Sequence, residues 1–147
     1  MFEKFTDRTR KIMALANRIA HRNGTRIIGD LEILLALLEE GRGVGADVLR
    51  RLGIDTKKMF SELIGKPSAF AWLRPMRRFP QTPEAKKIIE TAMRGSDELG
   101  HSYVGSEHFL LAMTMNPSST TGRALLERNI TEARVREMLA EVLAARH

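Results

Sequence analysis

The sequence predicts an all-α protein, in which two pseudo-symmetric repeats of four helices pack into one eight-helix domain. Two observations predict this class. The chain matches itself without a gap when it is shifted by 76 residues, with 13 identities in the 59 pairs between residues 6–64 and 82–140, which is several times the chance level. Apolar residues recur at helical spacing, and no segment shows the sustained alternation that is typical of a strand.

The first helix of each repeat is marked at both ends. Thr6 and Thr82 are favourable N-cap residues, and Pro83 suits the first helical position of the second copy. Gly24 and Gly100 are expected to end these two helices, because glycine adopts the left-handed conformation at low cost.

Capping residues and apolar stripes predict the remaining six helices. Their predicted starts or spans are, in chain order, Asp30, 44–52, Asp55, Ser106, 120–128 and Thr131. A four-helix unit of about 60 residues would have only a marginal core. The two copies should therefore pack together as one body.

We divide the predicted domain, residues 1–147, into repeat 1 (1–64), a linker (65–81) and repeat 2 (82–147). The linker holds three of the five prolines and cannot form one continuous helix.

Four apolar residues of the linker are unusual for a free tether: Phe70, Trp72, Leu73 and Met76. We expect them to pack across the interface between the repeats. The alternative is that they form a surface for a binding partner.

The net charge of +6 raises the possibility of nucleic-acid binding. The linker alone supplies +4 of it, through Lys66, Arg74, Arg77 and Arg78, and most of the rest lies in the first helix. Aromatic residues are only 5% and provide no stacking platform for single strands. A basic nucleic-acid-associated helical protein is the least favoured of the functions considered.

Several chemistries find no support in the sequence. There is no cysteine, no Gly-x-x-x-x-Gly-Lys-Ser/Thr phosphate loop and no Gly-x-Ser-x-Gly motif. The four histidines, His21, His101, His108 and His147, lack metal-ligand spacing, and His108 is expected to pack or to form hydrogen bonds within a helix. We predict no catalytic residue, no metal and no cofactor. The absence of a signal peptide, of cysteine and of a long apolar run favours the cytoplasm.

Two segments carry a family resemblance. Residues Phe5–Arg8 and Gly105–Leu111, together with the gapless repeat, resemble the Clp N-terminal repeat and are most similar to the ClpC branch. The resemblance implies a non-enzymatic module that docks protein substrates and adaptors for a Clp ATPase or protease, with no membrane partner. We expect either the amino-terminal domain of a longer unfoldase or, slightly favoured, a free-standing paralogue. The preferred role is to pass the docked protein to an ATP-driven partner, and the alternative is a free-standing paralogue that sequesters ligands or adaptors.

The resemblance also implies a binding site for phosphorylated arginine in each repeat. In the family, a glutamate accepts the guanidinium N–H groups, while a Thr-x-Arg segment takes the phosphate. Leu31 stands at the glutamate position of the first copy and Glu84 at the arginine position of the second. Neither repeat therefore carries a complete set. The matching residues are Thr6, Arg8, Thr82 and Glu107.

Overall fold

The computed structural model describes residues 2–146. Within this range the chain forms eight α-helices and no β-strand, which confirms the predicted fold class. The helices are α1 (Asp7–Arg22), α2 (Asp30–Glu40), α3 (Val44–Arg51), α4 (Thr56–Leu63), α5 (Pro83–Glu98), α6 (Ser106–Thr114), α7 (Thr120–Glu127) and α8 (Glu132–Ala145). A single 3-10 turn, Ala71–Leu73, lies between α4 and α5. None of the described helices is both long and apolar enough to cross a membrane.

The helix starts fall into pairs that are 76 residues apart: 7 and 83, 30 and 106, 44 and 120, 56 and 132. The predicted caps account for the first of these pairs. The hydroxyl oxygens of Thr6 and Thr82 each accept a backbone N–H from three residues ahead, both at 3.1 Å. Gly24 and Gly100 follow the ends of α1 and α5 with φ of +74° and +72°, the left-handed conformation that ends a helix.

The most deeply buried helices are α2 and α6, one from each half of the chain. Helix α2 packs against α1 and α4 of its own half and against α5 and α7 of the other. Helix α6 packs against α5, α7 and α8, and also against α3 of the first half. The two halves therefore share one apolar core, which is larger than either four-helix unit could form alone.

Two polar contacts tie the halves together at equivalent places. The Ser106 hydroxyl accepts the N–H of Gly45 at 2.9 Å. The Asp30 carboxylate accepts the N–H of Thr121 at 3.0 Å. Both pairs are related by the 76-residue shift, so the molecule has two pseudo-symmetric interfaces at which helix N-termini from opposite halves meet.

The expectation that the apolar linker residues pack between the repeats is wrong. Phe70, Trp72, Leu73 and Met76 are 69%, 79%, 59% and 53% exposed.

Anchoring at both ends of the linker explains this exposure. The N–H of Ser68 donates to the carbonyl of Arg22, and the N–H of Ile28 donates to the carbonyl of Pro80, both at 2.8 Å. These bonds hold the linker along α1, which the 3-10 turn contacts, rather than between the halves. Of the aromatic linker residues only Phe79 enters the core.

Candidate functional site

Three helix N-termini from both halves of the molecule converge on one cleft. They belong to α1 and α3 of the first half and to α6 of the second. The cleft has a volume of about 390 Å³ and is lined by Thr6, Arg8, Arg42, Gly43, Val44, Tyr103, Gly105, Ser106, Glu107, Leu143 and Arg146. Because a helix N-terminus carries partial positive charge and unpaired N–H groups, this convergence favours an anion.

The start of α1 is docked onto the loop that precedes α6. The N–H of Thr6 donates to the carbonyl of Val104 at 3.2 Å, and the N–H of Val104 donates to the carbonyl of Lys4 at 2.8 Å. The Thr9 hydroxyl donates to the same Val104 carbonyl at 2.9 Å. One repeat therefore positions the α1 end of the cleft on the other repeat.

The Thr6 hydroxyl is occupied by the helix cap. Since the Thr9 hydroxyl proton is used on Val104, its oxygen must accept the proton of Thr6 across their 2.8 Å contact. Thr6 Oγ1 also accepts the Thr9 N–H. Thr6 thus sets the geometry of the α1 N-terminus, whose first N–H groups have no acceptor within the helix.

Gly43 allows α3 to approach the other two helices closely. A Cβ atom at this position would lie 2.4 Å from the Ser106 hydroxyl oxygen and 3.1 Å from Cδ of Arg8. Any side chain would push apart the N-termini of α3 and α6 or displace Arg8. The Arg8 side chain is 43% exposed, and its Nη1 lies 3.9 Å from Oε1 of Glu40, which is longer than a hydrogen bond.

Glu107 places a buried carboxylate in this positive cleft. The residue is 2% exposed and accepts a hydrogen bond from the Tyr103 hydroxyl at 3.2 Å. Burial raises the pKa of its carboxyl, while hydrogen bonds from its own backbone and from Tyr103 and the charge of Arg146 act against this shift. Among the described residues Glu107 forms no ion pair, and a buried carboxylate of this kind is suited to receive a cation.

His101 and His108 form a hydrogen-bonded pair that packs against Tyr103. The N–H of Gly105 donates to Nδ1 of His108 at 2.9 Å, so Nε2 must carry the proton of the neutral ring and donate it to Nδ1 of His101 at 2.8 Å. Burial lowers the pKa of His108 to about 4. The His101 ring stacks on Tyr103 with centroids 5.2 Å apart. His108 is thus a hydrogen-bonding residue, as expected; His147 lies outside the described residues.

The structure combines residues that the sequence assigned to separate half-sites. Thr6 and Arg8 come from the first repeat and Glu107 from the second, yet all three line the same cleft. The expectation that each site lies within one repeat is therefore corrected, because the first helix of one repeat docks on the other repeat.

Thr82, the fourth predicted residue, lies at the pseudo-symmetric counterpart of the cleft. Its N–H donates to the Ile28 carbonyl at 2.8 Å. The charged and phenolic side chains of the cleft are replaced there: Arg8 by Glu84, Arg42 by Ser118, Tyr103 by Ile27 and Glu107 by Leu31.

Glu32 does not compensate for Leu31 at the counterpart. Its Oε1 accepts the N–H of Gly29 at 2.7 Å and so serves as a cap of α2. His108 fills the same role in the second repeat. The molecule therefore carries the combination of a buried carboxylate and arginines at one of its two interfaces.

Sequence reasoning missed four residues of the cleft: Arg42, Tyr103, Ser106 and Arg146. For Arg42 and Tyr103 a signal was present, since each differs in charge or polarity from its equivalent 76 residues away. Ser106 was noted only as a cap. Arg146 has no equivalent in the first repeat, and its place in the cleft follows from the packing of α8 against α3.

Comparison with known proteins identifies the fold. Residues 4–128 match the Clp repeat (R) N-terminal domain. The negative regulator of genetic competence ClpC/MecB of Bacillus subtilis is 36% identical over 99% of this chain and 18% of its own length. The chloroplastic chaperone protein ClpC1 of Arabidopsis thaliana is 37% identical over 85% of this chain and 13% of its own length. The chain thus spans less than a fifth of these relatives.

Solved structures agree at the level of fold. The N-terminal domain of the chaperone ClpD from Arabidopsis thaliana superposes with a TM-score of 0.73, at 18% identity, over 98% of this chain and 97% of that one. The N-terminal domain of the ClpV1 ATPase from Escherichia coli gives a TM-score of 0.72, at 22% identity, over 98% and 88% of the two chains. The sequence matches and the shared architecture together show that the chain belongs to the Clp N-terminal repeat family.

Proposed function

We propose that this protein is a non-catalytic docking module of a Clp ATPase system, and that its cleft binds polypeptides that carry a phosphorylated arginine. The observation that carries the proposal is the joint presence in one cleft of Arg8 and the buried carboxylate of Glu107, which has no ion-pair partner among the described residues. Family membership and relatives named as ATP-binding subunits of Clp proteases support the wider role.

A phosphorylated arginine requires a receptor with two opposite charges. Its guanidinium N–H groups need a carboxylate, for which Glu107 is suited, and its phosphate needs cations or helix N–H groups. The Arg8 guanidinium and the N–H groups at the start of α1 are suited to the phosphate, and Arg42 and Arg146 add positive charge. Free phosphate would be repelled by Glu107, and unmodified arginine would be repelled by the three arginines, so the cleft favours a ligand that combines both groups.

We assign this binding to a single site in each chain. The counterpart of the cleft has Glu84 in place of an arginine, which would repel a phosphate. It also has Leu31 in place of the carboxylate. Thr82 remains there as a helix cap.

Calorimetric titration with free phosphoarginine tests the proposed ligand. We expect saturable binding that weakens by about tenfold or more in Glu107→Gln and in Arg8→Ala, since each variant removes one charge that faces the ligand. Glu84→Gln is the matched control, because it removes an exposed carboxylate at the counterpart, and it should bind as the parent does. Absence of binding by the parent, or an equal loss in Glu84→Gln, would refute the assignment.

The role in a Clp system is tested by adding the chain to a Clp hexamer, its protease and a phosphoarginine-bearing substrate. We propose delivery, which predicts physical association with the hexamer and faster degradation. Slower degradation without association would instead support sequestration. The cytoplasmic location stays a prediction, because chloroplast proteins are among the relatives.

A further inference from the structure

A second pocket lies between the C-terminal end of α1 and the linker, and it shares no lining residue with the cleft. Its volume is about 270 Å³, and it is lined by His21, Gly24, Arg26, Ser68, Phe70, Ala71 and Arg74. The lining contains two arginines and no carboxylate. It is therefore an anion-attracting site that the docking cleft does not explain.

The pocket contains buried polar atoms without partners. Nη1 of Arg26 and Nδ1 of His21 are two of the three buried side-chain polar atoms that lack a hydrogen bond among the described residues. The ring of Phe79 holds both side chains in place, with the Arg26 guanidinium 5.1 Å and the His21 ring 6.1 Å from its centroid. A buried N–H donor is normally paired, so Arg26, which lines the pocket, has a donor that no other described residue uses.

The backbone at Arg26 is held in an uncommon conformation. Its φ is +56°, in the left-handed region that residues with a side chain rarely adopt. Its N–H donates to the Ala20 carbonyl at 3.3 Å, so the turn after α1 fixes this geometry. Backbone strain of this kind is retained where the surrounding structure requires it, and it often occurs at binding sites. The equivalent residue in the second repeat, Ser102, has no positive φ.

An apolar surface adjoins the charged pocket. Phe70 lines the pocket, and Trp72, only two residues further along, is 79% exposed. The linker around them carries Lys66, Arg74, Arg77 and Arg78 and no acidic residue. Exposed aromatic side chains surrounded by positive charge are complementary to a partner that is both acidic and apolar.

We propose that this pocket is a second docking site, for an acidic protein segment in which a carboxylate lies beside a large apolar side chain. The carboxylate pairs with Arg26 and Arg74, and the apolar side chain covers Phe70 and Trp72. A concave pocket with a buried donor fits a single carboxylate better than it fits the flat headgroup layer of an anionic membrane. This site is independent of the proposed phosphoarginine site.

Trp72 is the only tryptophan, so its fluorescence reports directly on the proposed surface. The probe is the peptide Glu-Glu-Leu-Phe-Glu-Glu. We expect a saturable blue shift of the emission, because the peptide buries an indole that is now exposed to water. Two control peptides, one with lysine in place of glutamate and one with alanine in place of leucine and phenylalanine, should bind more weakly by at least about tenfold.

Two matched variants locate the binding. Arg74→Glu should weaken the peptide by about five- to tenfold, because it reverses a charge in the pocket. Arg94→Glu makes the same change on an exposed part of α5 outside the pocket and should have no effect. Arg26→Gln tests the buried donor, and circular dichroism checks that each variant is folded.

The proposal would be overturned by no shift with the acidic peptide, an equal shift with the lysine peptide, unchanged binding by Arg74→Glu, or a shift with phosphatidylglycerol vesicles in the absence of peptide. Loss of peptide binding in Arg8→Ala would also overturn it, since it would place the peptide in the cleft. Retention in Arg8→Ala, with loss in Arg74→Glu, is the expected pattern.

Discussion

Glu107 is buried near the N-terminus of α6 and makes no ion pair among the described residues. Removing a carboxylate from water without a cation costs stability, and here burial raises its pKa. Such a cost is typical of a residue that is retained for binding. We therefore propose that the partner of Glu107 is the ligand.

Glu107→Gln should therefore stabilise the unliganded protein at pH 7. The pKa of the Glu107 carboxyl is higher in the native state than in the unfolded state. Between the ordinary glutamate pKa and this raised pKa the native state binds more protons, so stability falls as the pH rises through that range. Because its side-chain amide carries no charge, Glu107→Gln should raise the free energy of unfolding by about 1 kcal/mol at pH 7, and by less at pH 4. Urea denaturation at both pH values measures this, with Glu84→Gln as control; a loss of stability at pH 7 would contradict it.

His108 has the opposite pH dependence. Its pKa is lowered from 6.5 to about 4, so the unfolded state takes up a proton between these values while the native state does not. Stability is lost as pH falls through this range, by up to about 3 kcal/mol. In His108→Gln, which keeps a side chain that can cap Gly105, the loss should be smaller. Urea denaturation at several pH values between 7 and 4 measures the loss. An equal loss of unfolding free energy in the two proteins would contradict this prediction.

At the scale of the element, local signals predicted the helices correctly. Thr6, Thr82 and Asp30 stand immediately before or at helix starts, and the two glycines that close α1 and α5 have the expected left-handed backbone. Helix capping depends on a few neighbouring residues, so it can be predicted from the sequence. The linker was predicted wrongly, because its path depends on anchors along α1 that no local pattern reveals.

Thr82→Ala tests whether the counterpart of the cleft is only structural. Loss of the hydroxyl that accepts the Ala85 N–H should cost about 1 kcal/mol of unfolding free energy. The affinity for phosphoarginine should not change. A weakened affinity, measured by calorimetry on the folded variant, would show that the second interface takes part in binding.

The linker provides a contrast between an exposed and a buried aromatic residue. Phe70→Ser should change the unfolding free energy by less than about 0.5 kcal/mol, since this side chain is largely exposed. Phe79→Ala should cost about 3 kcal/mol, because that ring is buried in the core. Thermal or urea denaturation measures both. A large loss in Phe70→Ser would mean that the linker packs against the core after all.

At the scale of the whole molecule, the two repeats share a fold but differ in the side chains that line their two interfaces. Both interfaces keep the helix N-termini and the backbone contacts that join the halves. One of them has arginines and a buried carboxylate, and the other has neither at the equivalent positions. The sequence identified Arg8 and Glu107 individually, but their pairing depends on contacts between residues almost a hundred positions apart, which require the tertiary structure.

The stoichiometry of phosphoarginine binding tests this asymmetry most directly. Calorimetric titration at a protein concentration well above the dissociation constant should give one ligand for each chain, and Arg8→Ala and Glu107→Gln should each weaken that single event by about tenfold or more. Two ligands for each chain, or one ligand whose binding neither variant weakens, would contradict a single site built from both repeats.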